Sequence, residues 1–481
     1  MQEEVRFNRE RRSFLLRVGG GLGYVALAEL SGGAARAQKS DALQPNSGMA
    51  GLPHHPPSAK RIIYLHMMGA VSQPDTFDFK PTLKKMHGQE LPPSVRESTR
   101  LSTMVAGQSS FPIVGPIADF KPYGKSGLVV SDLIPHIGGI ADEITVVRSM
   151  YTDHVNHDPA SKFLHTGFQI AGRPSIGSWV TYALGSENKD LPMFVVMSSG
   201  MAGSAPSDAA TWGAGFLPSH YQGVQFRSGA MPVPYIANPS GLSNPERRRM
   251  LDTIMALARS QQEASGDEEI TSKISQYEMA NRMQHSVPEV ADIAREPQHV
   301  LDLYGPDVTK PGTFARNCLL ARRLAERNVR HTMVIHMGWD HHLYIGQLLP
   351  PQCASVDQPV AGLIRDLKQR GLLDDTLVVF STEFGRTAFA QGELKASFGR
   401  DHHGASFSIW LAGGGVKAGY VHGETDEFCY KVAKDGVHVH DLNATILHLL
   451  GIDHVRLTYR SQGRDFRLTD VGGHVQQALL A

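Results

Sequence analysis

The chain has 481 residues, 41% of them hydrophobic, and this length is compatible with one large α/β domain or with about two to four average domains. Lysine plus arginine balances aspartate plus glutamate at 47 each, so the overall charge indicates no nucleic acid, anionic membrane or acidic partner. The 23 histidines are unusual in number, and several stand in close groups, which favours metal or acid–base chemistry.

Residues 1–37 predict an export signal of the twin-arginine type. Arg11 and Arg12 precede a weakly apolar, glycine-rich stretch, and Ala35-Arg36-Ala37 offers an A-x-A cleavage site, so the mature chain would begin near Gln38. The alternative is a basic helix followed by an alanine-rich tail. No segment approaches the ~20 apolar residues that a transmembrane helix needs, so a periplasmic or secreted protein without a transmembrane anchor is expected.

The rest of the chain is expected to hold one main domain. Residues 38–60 are rich in proline, serine, glycine and histidine and predict a linker, whereas 61–470 alternate strand-like and helix-like segments. This alternation predicts a doubly wound, mostly parallel sheet, with a largely helical insertion at about 199–312 and a C-terminal tail at 471–481. The three cysteines lie far apart, so neither a disulfide framework nor a thiolate metal site is expected.

The first ordered segment is a strand predicted at 61–69, which ends in a glycine turn. The polar loop 72–81 follows beyond its carboxyl end, where open α/β sheets place their ligand-binding groups. Asp75 and Asp78 in this loop are therefore candidate ligands. The alternative is that these aspartates only cap backbone amides of a turn.

The spacing of apolar residues predicts a helix over 128–148, with a short strand at 144–147. Asp158 and Pro159 then predict the start of another helix, with the acid as its N-cap. His157 would stand at the amino terminus of that helix, where backbone amides and the helix dipole favour an oxyanion such as phosphate or sulfate. The alternative for His157 is a loop histidine bonded to a backbone carbonyl.

The strand predicted at 330–335 leads through a glycine into Asp340, His341 and His342. A strand followed by a glycine, a carboxylate and imidazoles is the arrangement expected of a site at the edge of a sheet. We therefore expect this loop to contribute to the site.

A run of bulky apolar residues at 374–380 predicts a buried parallel strand, and Glu383 and Arg386 follow it. The loop Asp401-His402-His403 then leads into a second strand-like run at 405–411. A carboxylate and two imidazoles could thus meet at one edge of the sheet, which is a hypothesis of a metal site.

Four stretches of the sequence resemble one family. They are Ser72 to Asp78, Trp339 to His342, Glu383 to Thr387 and Gly399 to His402. Together they are similar to a sulfatase-like, twin-arginine-exported family of unknown function (DUF1501) in the alkaline-phosphatase-like superfamily, and the resemblance covers nearly all of 60–470. It implies an alkaline-phosphatase-like core with a divalent metal, either zinc, calcium, magnesium or manganese, at the edge of the sheet.

Carried over position by position, the resemblance implies a set of metal ligands. The candidates are Asp340, His342, Glu383, His402 and Asp75. The sequence departs from the sulfatase pattern at Phe384, where sulfatases have histidine or asparagine. It departs again at Met67-Met68, where the first strand would end in a metal-binding aspartate.

The same resemblance implies His157 as the catalytic residue. Pro159 and Thr166-Gly167 match the sulfatase nucleophile signature, but its cysteine and arginine are missing, which excludes a formylglycine mechanism at this position. The candidates for substrate binding are Arg386, His154 and His403.

The resulting hypothesis is an exported metal-dependent hydrolase of sulfate or phosphate esters, acting on a small-molecule or glycan ester. Its nucleophile would be either His157 or a metal-activated water. The alternative is a non-catalytic metal- or ligand-binding protein on a decayed hydrolase fold, because a fold does not determine function. Bound metal without turnover would favour this alternative.

Overall fold

The computed structural model describes residues 48–200, 209–227, 232–234 and 236–481. The predicted export signal at 1–37 lies outside these described residues, as do the first ten residues of the predicted linker, 38–47. Within the described part of the chain, no helix is long and apolar enough to cross a membrane.

Most of the strands belong to one central sheet. In chain order the strands are β1 (Arg61–Met68), β2 (Phe120–Tyr123), β3 (Leu128–Ser131), β4 (Ile144–Tyr151), β5 (Phe194–Ser199), β6 (Val224–Phe226), β7 (His331–Met337), β8 (Thr376–Ser381), β9 (Gly385–Ala390), β10 (Arg400–His403), β11 (Phe407–Ala412), β12 (Tyr420–His422), β13 (Glu424–Thr425), β14 (Val432–Lys434), β15 (Val437–His438), β16 (Tyr459–Ser461) and β17 (Arg464–Phe466).

The central sheet has nine strands when counted over the described residues, in the order β12-β4-β11-β8-β1-β7-β5-β6, with β15 also paired to β4. Strand β11 runs antiparallel to β4 and β8. The remaining pairs of this sheet are parallel. The predicted fold class, an α/β protein with a mostly parallel sheet, is confirmed.

Along the chain, most of the helices fall between strands of the sheet. In chain order they are α1 (Gln73–Thr76), α2 (Pro81–Lys85), α3 (Pro93–Arg96), α4 (Pro135–Gly138), α5 (His157–Thr166), α6 (Ile176–Leu184), α7 (Asn244–Ser265), α8 (Glu268–Ala291), α9 (Gln298–Tyr304), α10 (Phe314–Glu326), α11 (Ile345–Gln369) and α12 (Val439–Leu449). The two long helices α7 and α8 lie within the range predicted for the insertion.

Helices cover both faces of the sheet, as a doubly wound fold requires. Along β1, Ile63, Leu65 and Met67 belong to one buried cluster, which also contains residues of α10 and α11. Ile62 and Tyr64 belong to a second cluster, which contains residues of α6 and α12. Successive side chains of a strand point to opposite faces, so β1 is covered on both sides.

The carboxyl ends of β1, β7 and β8 position the loops of the candidate site. In the parallel register, Met68 of β1 pairs with Met337 of β7, and His66 of β1 pairs with Ser381 of β8. These three neighbouring strands therefore end side by side, and the loops that follow them leave the same edge of the sheet.

Two local predictions near the site were wrong. The helix predicted over 128–148 is not formed, although the short strand predicted at 144–147 is confirmed as the start of β4. The range contains β3 and the short helix α4 before β4, because pairing with β2 and β11 outweighs the helix-like spacing of the apolar residues. Helix α5 begins at His157 with Asn156 as its N-cap. The carboxylate of Asp158 instead pairs with Lys162, 2.9 Å away.

Candidate metal centre

Four side chains from three separate segments meet at the carboxyl edge of the sheet. His157 opens helix α5, Asp340 and His342 follow β7, and His402 lies in β10. One nitrogen or oxygen atom from each of these residues lies within 4.8 Å of the others. The antiparallel pairing of β9 with β10 places His402 opposite Arg386, close to the end of β8.

The carboxylate of Asp340 is the common partner of the three histidines. Its Oδ1 atom lies 3.2 Å from Nε2 of His157, 2.8 Å from Nε2 of His342 and 3.3 Å from Nε2 of His402. The Nε2 atoms of His342 and His402 are 2.9 Å apart. Ligand atoms of a tetrahedral zinc are about 3.3 Å from one another, so these separations are close to those of one coordination shell.

Each of the three histidines has its other ring nitrogen, Nδ1, bonded to an oxygen atom. The partners are Glu383 Oε1 for His157 at 2.6 Å, Gln391 Oε1 for His342 at 2.5 Å, and the Val155 carbonyl for His402 at 2.7 Å. Carboxylate, amide and carbonyl oxygens only accept, so Nδ1 carries a proton in all three histidines. Metal-binding histidines have this arrangement, because the outer N–H bond orients the ring.

A neutral histidine with its proton on Nδ1 presents a lone pair at Nε2. In His342 and His402 two such lone pairs would face each other at 2.9 Å, beside the carboxylate of Asp340. This arrangement needs a cation at its centre, either a proton or a metal ion. Imidazole nitrogens and a carboxylate oxygen fit a divalent metal.

The electrostatics of the group keep both of its carboxylates ionised. Burial alone would lower the pKa of His157, but its bonds to Asp340 and Glu383 raise that pKa to about 9. Burial opposes ionisation of Asp340, yet the three histidines and Arg386 hold its pKa well below the usual range. Burial also opposes ionisation of Glu383, but His157 lowers the pKa of Glu383 to about 2. Both carboxylates are therefore ionised where a cation would bind.

Arg386 supports Asp340 from inside the protein. Its Nη2 atom donates to Asp340 Oδ1 at 2.5 Å and to the carbonyl of Gly69, and its Nε donates to the carbonyl of Ala70 at 3.1 Å. The side chain of Arg386 is only 1% exposed, whereas that of Asp340 is 44% exposed. The structure therefore gives Arg386 a supporting contact with Asp340, and the predicted contact with substrate does not fit its burial.

Glu383 lies one side chain behind the four ligand atoms, although the sequence predicted it as a ligand. Its carboxylate is fully buried and accepts hydrogen bonds from the Gly69 amide at 2.8 Å and from His157 Nδ1. Strand β8 ends within the buried part of the sheet edge, so Glu383, which follows it, stays buried. Glu383 therefore contacts the centre only through His157.

The structure does not bring Asp75 to the centre either. Its carboxylate accepts from Nε of Arg400 at 2.7 Å, from Nη2 of Arg400 at 3.0 Å and from the amide of Ile117 at 3.0 Å. Both charged side chains are fully buried. The carboxylate is thus already neutralised, and its predicted role as a metal ligand does not fit this pairing.

The two other predicted substrate-binding residues have different surroundings. His403 is buried, its Nε2 is bonded to the Tyr430 carbonyl, and its ring stacks on Tyr430. It points away from the centre because neighbouring residues of β10 face opposite sides. His154 is half-buried and lines a cavity beside the centre, with its ring edge-on to Phe163.

Sequence reasoning missed Gln391 and Val155, which orient two of the histidines. Neither residue belongs to a sequence motif. Gln391 acts through the side-chain amide of a loop residue, and Val155 acts through its backbone carbonyl. The ring of Phe384 packs against two of the histidines. Its centroid lies 4.9 Å from that of His157 and 4.7 Å from that of His402.

The fold and the four ligand atoms define an α/β protein with a candidate metal centre at the carboxyl edge of its sheet. Residues 59–480 match the family described as "Protein of unknown function (DUF1501)", and the chain belongs to this family. The family predicted from the sequence is thereby confirmed. No curated protein sequence matches the chain.

Solved structures that resemble the chain include sulfatases and related hydrolases. The structure described as "Ps i-CgsB in complex with k-i-k-neocarrahexaose" is 13% identical, with a TM-score of 0.36 over 82% of this chain and 72% of that one. The sulfatase PsFucS1 from Pseudoalteromonas sp. is 13% identical, with a TM-score of 0.35 over 82% and 68%. The phosphonate monoester hydrolase SpPMH from Silicibacter pomeroyi is 14% identical, with a TM-score of 0.30 over 66% and 68%. Similarity of this degree carries no functional argument, so function is inferred from the site.

Proposed function

We propose that the protein is a metal-dependent hydrolase of sulfate or phosphate esters. The observation that carries the proposal is the convergence of three histidine Nε2 atoms on the carboxylate of Asp340. The exposed side chain of Asp340 leaves this group open to a substrate from solvent. One divalent metal would be held by His157, Asp340, His342 and His402.

The kinds of ligand atom favour zinc or a related transition metal. Three imidazole nitrogens and one carboxylate oxygen suit zinc, whereas calcium and magnesium prefer sites made of oxygen atoms. Among the four metals considered from the sequence, zinc therefore fits these residues best. The buried Glu383 carboxylate behind His157 adds the outer partner that zinc-binding histidines commonly have.

The contacts of His157 favour a water molecule over the histidine as the attacking group. Nδ1 of His157 donates to Glu383 and its Nε2 faces Asp340, so both nitrogens are engaged. A bound divalent metal would supply Lewis acidity and lower the pKa of a nearby water. Hydrolysis then joins the water oxygen to sulfur or phosphorus, and the ester oxygen leaves with a proton. The chain contributes by orienting the ligands and keeping Asp340 ionised through Arg386.

Export by the twin-arginine route is a further part of the proposal. It is supported by Arg11 and Arg12, by the glycine-rich stretch after them and by the cleavage motif that ends at Ala37. Replacing both arginines by lysine in the native host should retain the precursor in the cytoplasm. Unchanged export of that variant would contradict this part.

One observation favours a second function, metal binding without turnover. The sequence resemblance aligns His157 with the sulfatase nucleophile, and the contacts of His157 are those of a metal ligand. A protein in which a metal-binding residue has replaced the nucleophile could still bind the metal and yet no longer hydrolyse an ester.

Metal analysis and an ester screen test both functions. Protein exported in its native host should contain close to one equivalent of zinc and should hydrolyse an aryl sulfate or an aryl phosphate. His157→Ala should lower the zinc content, whereas the exposed His299→Ala should leave it unchanged. Zinc without turnover of either ester class would favour the second function, and absence of bound metal from the parent would reject both.

A further inference from the structure

A cavity of about 670 Å³ lies directly beside the candidate metal centre. Its wall includes residues 151–156, the segment that leads into His157. Val155, whose carbonyl orients His402, belongs to the same wall. The cavity and the centre are therefore separated by one stretch of backbone, and a substrate of moderate size could contact both.

The charged side chains of the cavity leave positive charge available. Arg100 and Lys431 both line it, and neither has a carboxylate partner among the described residues. The one acidic side chain in the lining, Asp153, already contacts His438 Nε2 at 3.2 Å. The amino terminus of the ten-residue helix α5 also faces the cavity, because Asn156 and Pro159 are part of the lining. The cavity therefore favours an anionic ligand.

The other lining residues match a ligand rich in hydroxyl groups. Ser98 and Thr103 contribute side-chain hydroxyls, Asn156 contributes an amide, and Tyr151 presents an aromatic ring that is 37% exposed. Hydroxyl and amide groups both donate and accept, as the hydroxyls of a sugar do, and an aromatic face packs against the apolar face of a sugar ring. A volume of this size accommodates a ligand of several rings.

We propose that this cavity binds a second anionic group of a polyhydroxylated substrate, so that the preferred ester is an anionic carbohydrate with a charge remote from the scissile bond. Arg100 and Lys431 bind the charge, and the hydroxyl and amide side chains of the lining bond to hydroxyls of the same substrate. The inference rests on the proposed ester hydrolase function. The cavity itself contains none of the four metal-ligating residues, so it can be tested separately.

Calorimetric titration of the mature protein with two trisaccharides tests the proposal. Trigalacturonate, which is anionic, should bind at least tenfold more tightly than neutral maltotriose, with zinc or after its removal. Inorganic sulfate should compete only weakly because it lacks hydroxyls. Equal affinity for the two trisaccharides, or sulfate competing as well as trigalacturonate, would overturn the proposal.

Two matched double variants locate the binding. Arg100→Gln/Lys431→Gln should weaken trigalacturonate binding at least tenfold. Lys85→Gln/Lys189→Gln removes the same charge from exposed positions outside the cavity and should bind like the parent. Equal weakening by both variants would show a non-specific charge effect and overturn the assignment.

Turnover of a small aryl ester should be unaffected in both double variants. Absence of turnover in the parent therefore counts against the metal centre, whereas absence of trisaccharide binding counts against the cavity.

Discussion

The metal centre and the Asp75–Arg400 pair use similar side chains in opposite ways. Asp75 is fully buried and receives two N–H groups of Arg400 and one backbone amide. Asp340 is 44% exposed and faces the Nε2 atoms of three histidines. In the buried pair a single arginine satisfies the carboxylate, whereas at the centre Arg386 and the Nε2 atoms of three histidines converge on one carboxylate oxygen.

This difference separates a structural carboxylate from a ligand more clearly than sequence motifs do. Asp75 and Asp340 both follow strands of the same sheet and both belong to family-like stretches. What distinguishes them is the set of partners that the fold supplies. A buried carboxylate with satisfied oxygens stabilises the fold, and an open one among imidazoles binds a metal.

The largest expected effect comes from breaking the buried pair. Asp75→Ala should lower the free energy of unfolding by about 3–5 kcal/mol, because it leaves the charge of Arg400 buried without a partner. Zinc content per folded molecule should be unchanged. Urea unfolding with metal analysis in parallel measures both quantities, with His299→Ala as the surface control. Loss of zinc with normal stability would instead place Asp75 in the centre.

Removing a ligand should reduce stability only when metal is present. Zinc at 100 times its Kd should stabilise the parent by about 2.7 kcal/mol, and His402→Ala should lose most of this gain. With a chelator, the difference in free energy of unfolding between the parent and His402→Ala should become smaller. Unfolding curves with zinc and with the chelator provide the comparison, and an equal gain in both proteins would make His402 purely structural.

Changing the carboxylate behind His157 should have a smaller effect. Glu383→Gln keeps the shape but loses the charge that holds the Nδ1 proton, so zinc affinity should fall about 10- to 100-fold. Competition with a chromophoric chelator measures this affinity. Glu393→Gln, an exposed change of the same charge, is the control. If Glu383→Gln bound far less than one zinc per molecule, Glu383 would itself be a ligand.

The smallest effect is expected for the neutral partner of His342. Gln391→Leu removes the partner of His342 Nδ1 and should lower zinc affinity by about tenfold. The loss should be no larger because His342 can turn toward Asp401 Oδ1, which lies 4.0 Å from its Nδ1. Gln391→Glu restores an acceptor and should recover the affinity in the same titration. Parent-like affinity of the leucine variant would show that the contact with Gln391 does not orient the ring.

The sequence by itself determined the class of the sheet, several of its strands and the loops that carry the candidate residues. Runs of buried apolar residues predict β1 and β8, and Asp340, His342 and His402 can be identified because they lie in or beside the loops at strand ends. These features depend on local pattern and on one general property of parallel sheets, namely that the carboxyl ends of neighbouring strands lie together.

Only the tertiary structure decided which of these residues come together as candidate ligands and which lie behind them. Glu383 and His157 are 226 positions apart, and their contact exists because α5 packs against Phe384, which follows β8. The pairing of Asp75 with Arg400 spans 325 positions and satisfies a carboxylate that the sequence alone left open as a ligand. Partners this distant are set by the packing of whole elements, and hydrogen-bond directions, which no residue pattern encodes, then determine the role of each side chain.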